Sequence, residues 1–196
     1  MTQVKNGLLQ FSLDAQASLF TVQAFAAGIV AVVAHSPKFA IRNFNGTVSF
    51  DPDSLEESSV DLNIKVSSLD LLDEVRSNER REIERVMFDE VLESSRYRVI
   101  EFKSSRASGI KTGENMYRIN LQGDLQLHGN SQQVRLETQV MVGEETLKVQ
   151  GSFSVRQSDY GLKIASVAGG SLTLKDELRC TYFITARRQR GGGRAR

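Results

Sequence analysis

The sequence predicts an all-β protein, a closed antiparallel barrel with one amphipathic helix inserted mid-chain. Three observations lead there. Apolar and polar residues alternate with period two in run after run along the chain. The stretch from Gly123 to Leu136 reads as two such strands and their turn, and only one segment, after Leu72, changes to a helical period. About eight or nine amphipathic strands with a single helix suit a closed barrel, which leaves no exposed edge, better than an α/β fold. A β-sandwich is the structural alternative.

In chain order, Leu9, Phe11 and Leu13 alternate with Gln10, Ser12 and Asp14 and give a first strand after Gly7. A second apolar run opens at Leu19-Phe20-Thr21-Val22 and continues from Phe25 to Ala34, where alternation is lost. It reads as a doubly buried strand or a short helix, which periodicity does not separate. We expect strand, then irregular apolar cover. His35-Ser36-Pro37 ends it, since proline donates nothing to a ladder. Phe44, Gly46, Val48 and Phe50 form the next strand, Asp51-Pro52-Asp53 turns, and Val60, Leu62, Ile64 and Val66 form its expected neighbour.

The charged segment that follows places Ile83, Val86, Met87, Glu90 and Val91 on one face of a helix expected from Ser77 to Glu93. Strands resume at Ile100, Phe102 and Ser104. Tyr117, Ile119, Leu121, Leu125 and Leu127 line one face of the next. Gly129-Asn130-Ser131 supplies the turn, and Val134, Leu136, Val140 and Val142 repeat the pattern on the way back. Leu147, Val149, Gly151, Phe153 and Val155 continue it; Asp159-Tyr160-Gly161 turns. Leu172 and Leu174 lead through Lys175-Asp176-Glu177 to Cys180, Tyr182 and Ile184. Strands of about nine to twelve residues enclose an interior longer than a minimal core, so a ligand cavity is expected.

Composition bounds the use of such a fold. The chain of 196 residues, 40% hydrophobic and 25% charged, is ordinary for one soluble domain. The expected division is a barrel domain over residues 1–186 and a disordered Arg/Gly-rich tail over 187–196. That tail carries five arginines and no acid; removing them from the formal +1 leaves −4 for the body. Its five arginines suit contact with nucleic acid or an anionic membrane, but it has no aromatic residue to stack on bases, and the plainer reading is a solubilising terminus. Cys180 is the single cysteine, and no leader pattern is visible at the start, so a cytoplasmic location is expected. The most apolar stretch, Ala24 to Ala34, is shorter than the roughly 20 residues of a membrane helix, so no transmembrane segment is expected.

The chemistry search yields little. The two histidines, His35 and His128, stand far apart in sequence and no ligand spacing suggests a metal. His128 is read as a solvated or backbone-bonded turn residue. His35 follows an apolar run and is a candidate entrance residue. Cys180 shares a face with Tyr182 and Ile184, as a small buried hydrophobe does. No nucleophile with a base, phosphate-binding loop or dinucleotide fingerprint occurs, and no enzyme is expected.

Four stretches resemble one family. They are Phe44-Asn45-Gly46-Thr47-Val48-Ser49-Phe50-Asp51-Pro52; Ser67-Ser68-Leu69-Asp70 with the helix and Tyr97-Arg98-Val99-Ile100-Glu101-Phe102-Lys103-Ser104; Gly123-Asp124-Leu125-Gln126-Leu127-His128-Gly129; and Val155-Arg156-Gln157-Ser158-Asp159-Tyr160-Gly161. Together they resemble the YceI-like, lipocalin-like lipid-binding proteins from about Leu9 to Ala186. There are departures: Arg98 stands where many members have proline, and an early histidine of the family falls near Ala24 here, so its role is not transferred to His35.

The resemblance implies an extended eight-stranded antiparallel lipocalin-like barrel around a long apolar channel that binds an isoprenoid or fatty-acyl chain, often in a homodimer. Each buried methylene contributes about 0.8 kcal/mol, so such a chain binds without polar recognition. The expected function is therefore non-enzymatic binding, transport or storage of a polyisoprenoid, isoprenoid quinone or fatty-acyl lipid, with no other cofactor. Candidate lining residues are Phe44, Val48, Leu62, Ile64, Ile100, Phe102, Ile119, Leu121, Leu136 and Phe153. The alternative is a stress-related interaction module whose basic tail contacts a protein, nucleic acid or membrane.

Overall fold

The computed structural model of the chain describes residues 7–27, 36–164, 166–167 and 172–189. Among the described residues eleven strands form one antiparallel sheet: β1 (Leu9–Ala27), β2 (Lys38–Ile41), β3 (Phe44–Phe50), β4 (Ser59–Lys65), β5 (Leu69–Leu71), β6 (Val99–Lys111), β7 (Met116–Leu127), β8 (Asn130–Val142), β9 (Thr146–Arg156), β10 (Ser166–Val167) and β11 (Leu172–Arg188). Eight of them, in the order β11-β9-β8-β7-β6-β4-β3-β1, close on themselves because β11 also pairs with β1. The barrel is thus an eight-stranded antiparallel one with extra strands at one end.

Those extra strands arise from two interrupted walls. β2 pairs with the second half of β1 and β3 with the first half, while β5 pairs with β2 and β4 with β3. Ser68 stitches the interruption: its carbonyl accepts Arg42 N at 3.0 Å and its hydroxyl accepts Asn43 N at 3.0 Å. The third extra strand, β10, pairs instead with the start of β11. The barrel's far side at the same end is left to the helix.

The two apolar runs at the start of the chain join in the single 19-residue strand β1, with the ladder to β11 broken between Asp14 and Leu19. Side chains hold that irregularity. Asp14 Oδ1 accepts Gln16 N and Ala17 N, both at 3.1 Å, and Thr185 N donates to Ser18 Oγ at 2.9 Å. The hydrogen bond from Arg187, with that from Ala17 behind it, holds the Asp14 carboxyl below the usual carboxylate range. Residues 28–35, His35 included, lie outside the described residues.

The helix occupies the expected place in a different form. Helix α1 (Ser77–Arg85) passes directly into a π-helical turn over Val86–Val91. The wider turn rotates Glu90 out of the apolar face assigned to it, and its carboxylate meets Arg85 Nη1 at 2.7 Å. Arg80 ties the helix to the barrel by donating to the carbonyls of Leu71 at 2.8 Å and Asp73 at 3.0 Å.

The hairpin between β7 and β8 turns one position earlier than the sequence suggests. Leu127 pairs with Asn130, so His128 and Gly129 are the turn and both have positive φ, 52° and 76°. A side chain on Gly129 would meet the Tyr97 ring at 2.8 Å. Asn130 and Ser131 are strand residues, and the Asn130 amide donates to Tyr160 O at 2.8 Å.

At the other end of the chain β11 runs to Arg188, two residues past the expected boundary. Arg187 Nε donates to Asp14 Oδ2 at 2.6 Å and Arg188 to Glu144 O at 3.1 Å. The rest of the tail, residues 190–196, lies outside the described residues.

The two ends of the barrel are packed differently. At the end far from the helix Phe11, Phe50, Tyr117, Leu147 and Ala186 form a solid cluster, with Phe50 and Tyr117 edge to face at 5.1 Å. At the helix end the core is hollow.

Candidate functional site: a cavity beneath the helix

Inward-facing residues of β1, β4, β7, β9 and β11 surround a cavity of about 710 Å³ under α1 and the π turn. The size suits a drug-sized or larger ligand. The alternation that builds the strands also supplies the wall: Val22 and Ala24, Leu125 and Leu127, Phe153 and Val155, Leu178 and Cys180 each sit two apart on one face. Phe39 and Ile41 extend it on β2, and Ile83, Val86, Met87 and Val91 form the roof.

Apart from Gln157, the polar groups lie at the edge. Asp73, Arg76, Asn78, Glu79 and Glu82 stand at the rim on the helix and the segment before it. Several are engaged there: Asp73 Oδ2 accepts Lys38 N at 2.7 Å and Glu82 is bonded to Arg85. Gln157 is buried in the wall, where its amide donates to Lys175 O at 2.9 Å.

Cys180 faces this space. Burial pushes its thiol from its ordinary 9.0 up to about 12, the opposite of what a thiolate nucleophile requires. Because the folded pKa is raised, the unfolded chain loses its proton first. The contribution of the neutral thiol is fully present below pH 9 and is lost as pH rises toward 12. Urea unfolding followed across that window should show stability falling, and Cys180→Ala should flatten the onset; an unaltered profile in the variant would contradict the burial of this thiol. Tyr160, pushed from 10.0 to about 12 chiefly by burial, adds to the later part of the same fall.

A second void of about 120 Å³ lies deeper in the barrel. Of the residues expected to line the interior, Ile64, Ile100 and Phe153 line the outer cavity, and Val48, Leu62, Ile64, Phe102, Ile119, Leu121, Leu136 and Phe153 line the inner void. Phe44 borders neither; it is buried against Phe20, ring centroids 6.3 Å apart. Most of the sequence-derived set therefore surrounds the small void. The large cavity is framed by residues that sequence reasoning passed over, although Leu125, Leu127 and Val155 simply extend the same alternation.

His128 is a turn residue, as expected, but its side chain is largely buried rather than solvated. Its ring lies 4.2 Å from that of Tyr97, and its buried Nε2 is 3.4 Å from Glu93 Oε1. Glu93 and His128 are the non-glycine residues with positive φ among those described, and they meet where the chain leaving the π turn rests on the hairpin. The contact fixes the end of the roof.

The comparisons agree with this architecture. A family model described as YceI-like domain matches residues 11–186. A UPF0312 protein of Vibrio cholerae serotype O1 is 23% identical over 133 residues, a match spanning 65% of this chain and 65% of that relative's length. Among solved structures, BcnA of Burkholderia cenocepacia superposes with a TM-score of 0.68 at 20% identity, covering 88% of this chain and 98% of that one. A polyisoprenoid binding domain from Saccharophagus degradans, described as implicated in plant cell wall breakdown, gives 0.67 at 17% identity, covering 92% and 99%. The YCEI protein of Campylobacter jejuni gives 0.57 at 17%, covering 76% and 84%. At these identities the structures speak for the fold.

Proposed function

The chain belongs to the YceI-like family, and from that premise we propose that it binds one long apolar chain, a polyisoprenoid, an isoprenoid quinone or a fatty-acyl lipid, in the cavity beneath the helix. The observation that carries the reading is the cavity of about 710 Å³, predominantly apolar inside and with its charged groups at the rim. Such a space offers an extended hydrocarbon about 0.8 kcal/mol per buried methylene and gives a headgroup access to water. The description of the Saccharophagus degradans domain as polyisoprenoid binding supports the same ligand class.

The protein acts as a carrier or store rather than as an enzyme, since its cavity thiol is buried with a raised pKa and the rest of the interior wall is hydrocarbon but for the hydrogen-bonded amide of Gln157. No helix among the described residues is long and apolar enough to cross a membrane. We place the protein in the cytoplasm, a reducing compartment that suits its one cysteine.

Organic extraction of the purified protein followed by mass spectrometry should recover a long-chain lipid at near one per chain. Cys180 supplies an independent reading, because a thiol reagent must enter the cavity to reach it. Added isoprenoid alcohol should slow that reaction. A lipid-free protein whose thiol reacts at the same rate with and without the isoprenoid would overturn the proposal.

A further inference from the structure

Four side chains, Phe20, Ile64, Leu125 and Phe153, line both the outer cavity and the inner void, so a single layer separates them. Two of the four are rings, and they belong to a chain of edge contacts that crosses the barrel. Phe44 meets Phe20 at 6.3 Å, Phe20 meets Tyr182 at 6.0 Å and Tyr182 meets Phe153 at 6.2 Å, with interplanar angles of 76°, 66° and 56°. Such tilted pairs are the favoured aromatic geometry, so the rings hold one another in place.

Tyr182 is fixed from behind as well. Its hydroxyl is hydrogen-bonded to the side chain of buried Thr138, which itself donates to Gln150 O at 3.0 Å. The phenol end lies over Gly151, a position without a side chain, with the Tyr182 Cζ 2.7 Å from where a Cβ would stand. The ring is thus locked across the barrel by a hydrogen bond, a glycine and two neighbouring rings. Beyond it, the inner void of about 120 Å³ has walls of the same apolar character as the cavity above, and so would be equally favourable to hydrocarbon if a chain reached it.

We propose that this ring layer, Phe20 and Phe153 backed by Tyr182, is a stop that sets the greatest chain length the protein accepts. The ligand enters beneath the helix, fills the outer cavity and ends against the rings; chains longer than that leave methylenes at the rim in water. The proposal rests on the reading that an apolar chain occupies the outer cavity, and assigns Phe20 and Phe153 a role in specificity rather than in affinity alone.

A homologous series of saturated fatty acids, each longer by two methylenes, tests it by titration against the full chain. For the native protein, affinity should rise about fourfold per methylene, the equivalent of about 0.8 kcal/mol, up to a cutoff and then stop rising. In Phe20→Ala the cutoff should move to longer chains, with at least a tenfold gain for the first member beyond the native limit. Adding Leu136→Phe, which fills the inner void, should take that gain back. Phe153→Leu gives the same reading if Phe20→Ala does not fold. A folded variant with the native cutoff overturns the stop while leaving chain binding in place. If neither native protein nor variant binds any member, the proposed function falls and the stop with it.

Discussion

Phe11→Ala is expected to destabilise the protein by about 3–5 kcal/mol, the usual cost of deleting a fully buried phenylalanine. Phe11 is 0% exposed and is surrounded by Phe50, Leu147 and Ala186 at 2%, 1% and 0%. β1 is paired on both sides at this point, opposite Val48 on β3 and Arg188 on β11, so the backbone does not collapse into the space left behind. Urea unfolding should show a lower midpoint with an unchanged slope. Phe153→Ala should cost distinctly less, because Phe153 is only partly buried and already borders two voids. Equal losses would mean that the solid end of the barrel does not carry the larger share of its stability.

Gly151→Ala is the second large effect, expected to cost about 1–3 kcal/mol by overpacking. The added methyl would collide with the Tyr182 phenol and approach Glu137 O at 2.9 Å, and the carbonyl belongs to a paired strand that has no room to retreat. Tyr182→Phe removes the oxygen at the centre of the clash. In the double variant part of the loss should return, giving a favourable coupling in a double-mutant cycle. Additive losses would place the clash on the backbone alone.

Much of the architecture is legible in the sequence because strand alternation is a local property. The pairing of β7 with β8 follows from a short turn, that of β3 with β4 from the turn that opens at Asp51-Pro52-Asp53, and Leu147 through Val155 show their inward face directly. The helix is legible by its period, but its π turn is not: one extra residue per turn leaves no mark in composition, and regular helical spacing puts Glu90 on the wrong face for that reason. The hairpin turns earlier than propensity suggests because His128 at φ 52° is a poor turn former, held there by Tyr97 and Glu93 from a distant part of the chain.

For the site, polarity distinguishes inside from outside but says nothing of depth. Ile119 and Leu121 alternate as cleanly as Leu125 and Leu127, yet the first pair lies by the inner void and the second by the large cavity. Depth depends on the register of all eight strands together. Phe44 shows the same limit from another side, since an inward phenylalanine on a barrel strand is buried in a stack of rings instead of bordering open space.

The seam between β1 and β11 bears on how the molecule comes to exist. The residues paired there are 146 to 177 apart in sequence, from Ala27 and Thr173 to Phe11 and Arg188. Pairings of such separation form slowly, because the loop must be closed before the contacts repay its entropy. During synthesis the barrel wall lacks its closing strand until the residues of β11 emerge, and its apolar lining is open to water and to other chains throughout that interval. Closure is therefore the step at which solubility is decided, and a hydrocarbon bound inside would favour the closed form by mass action.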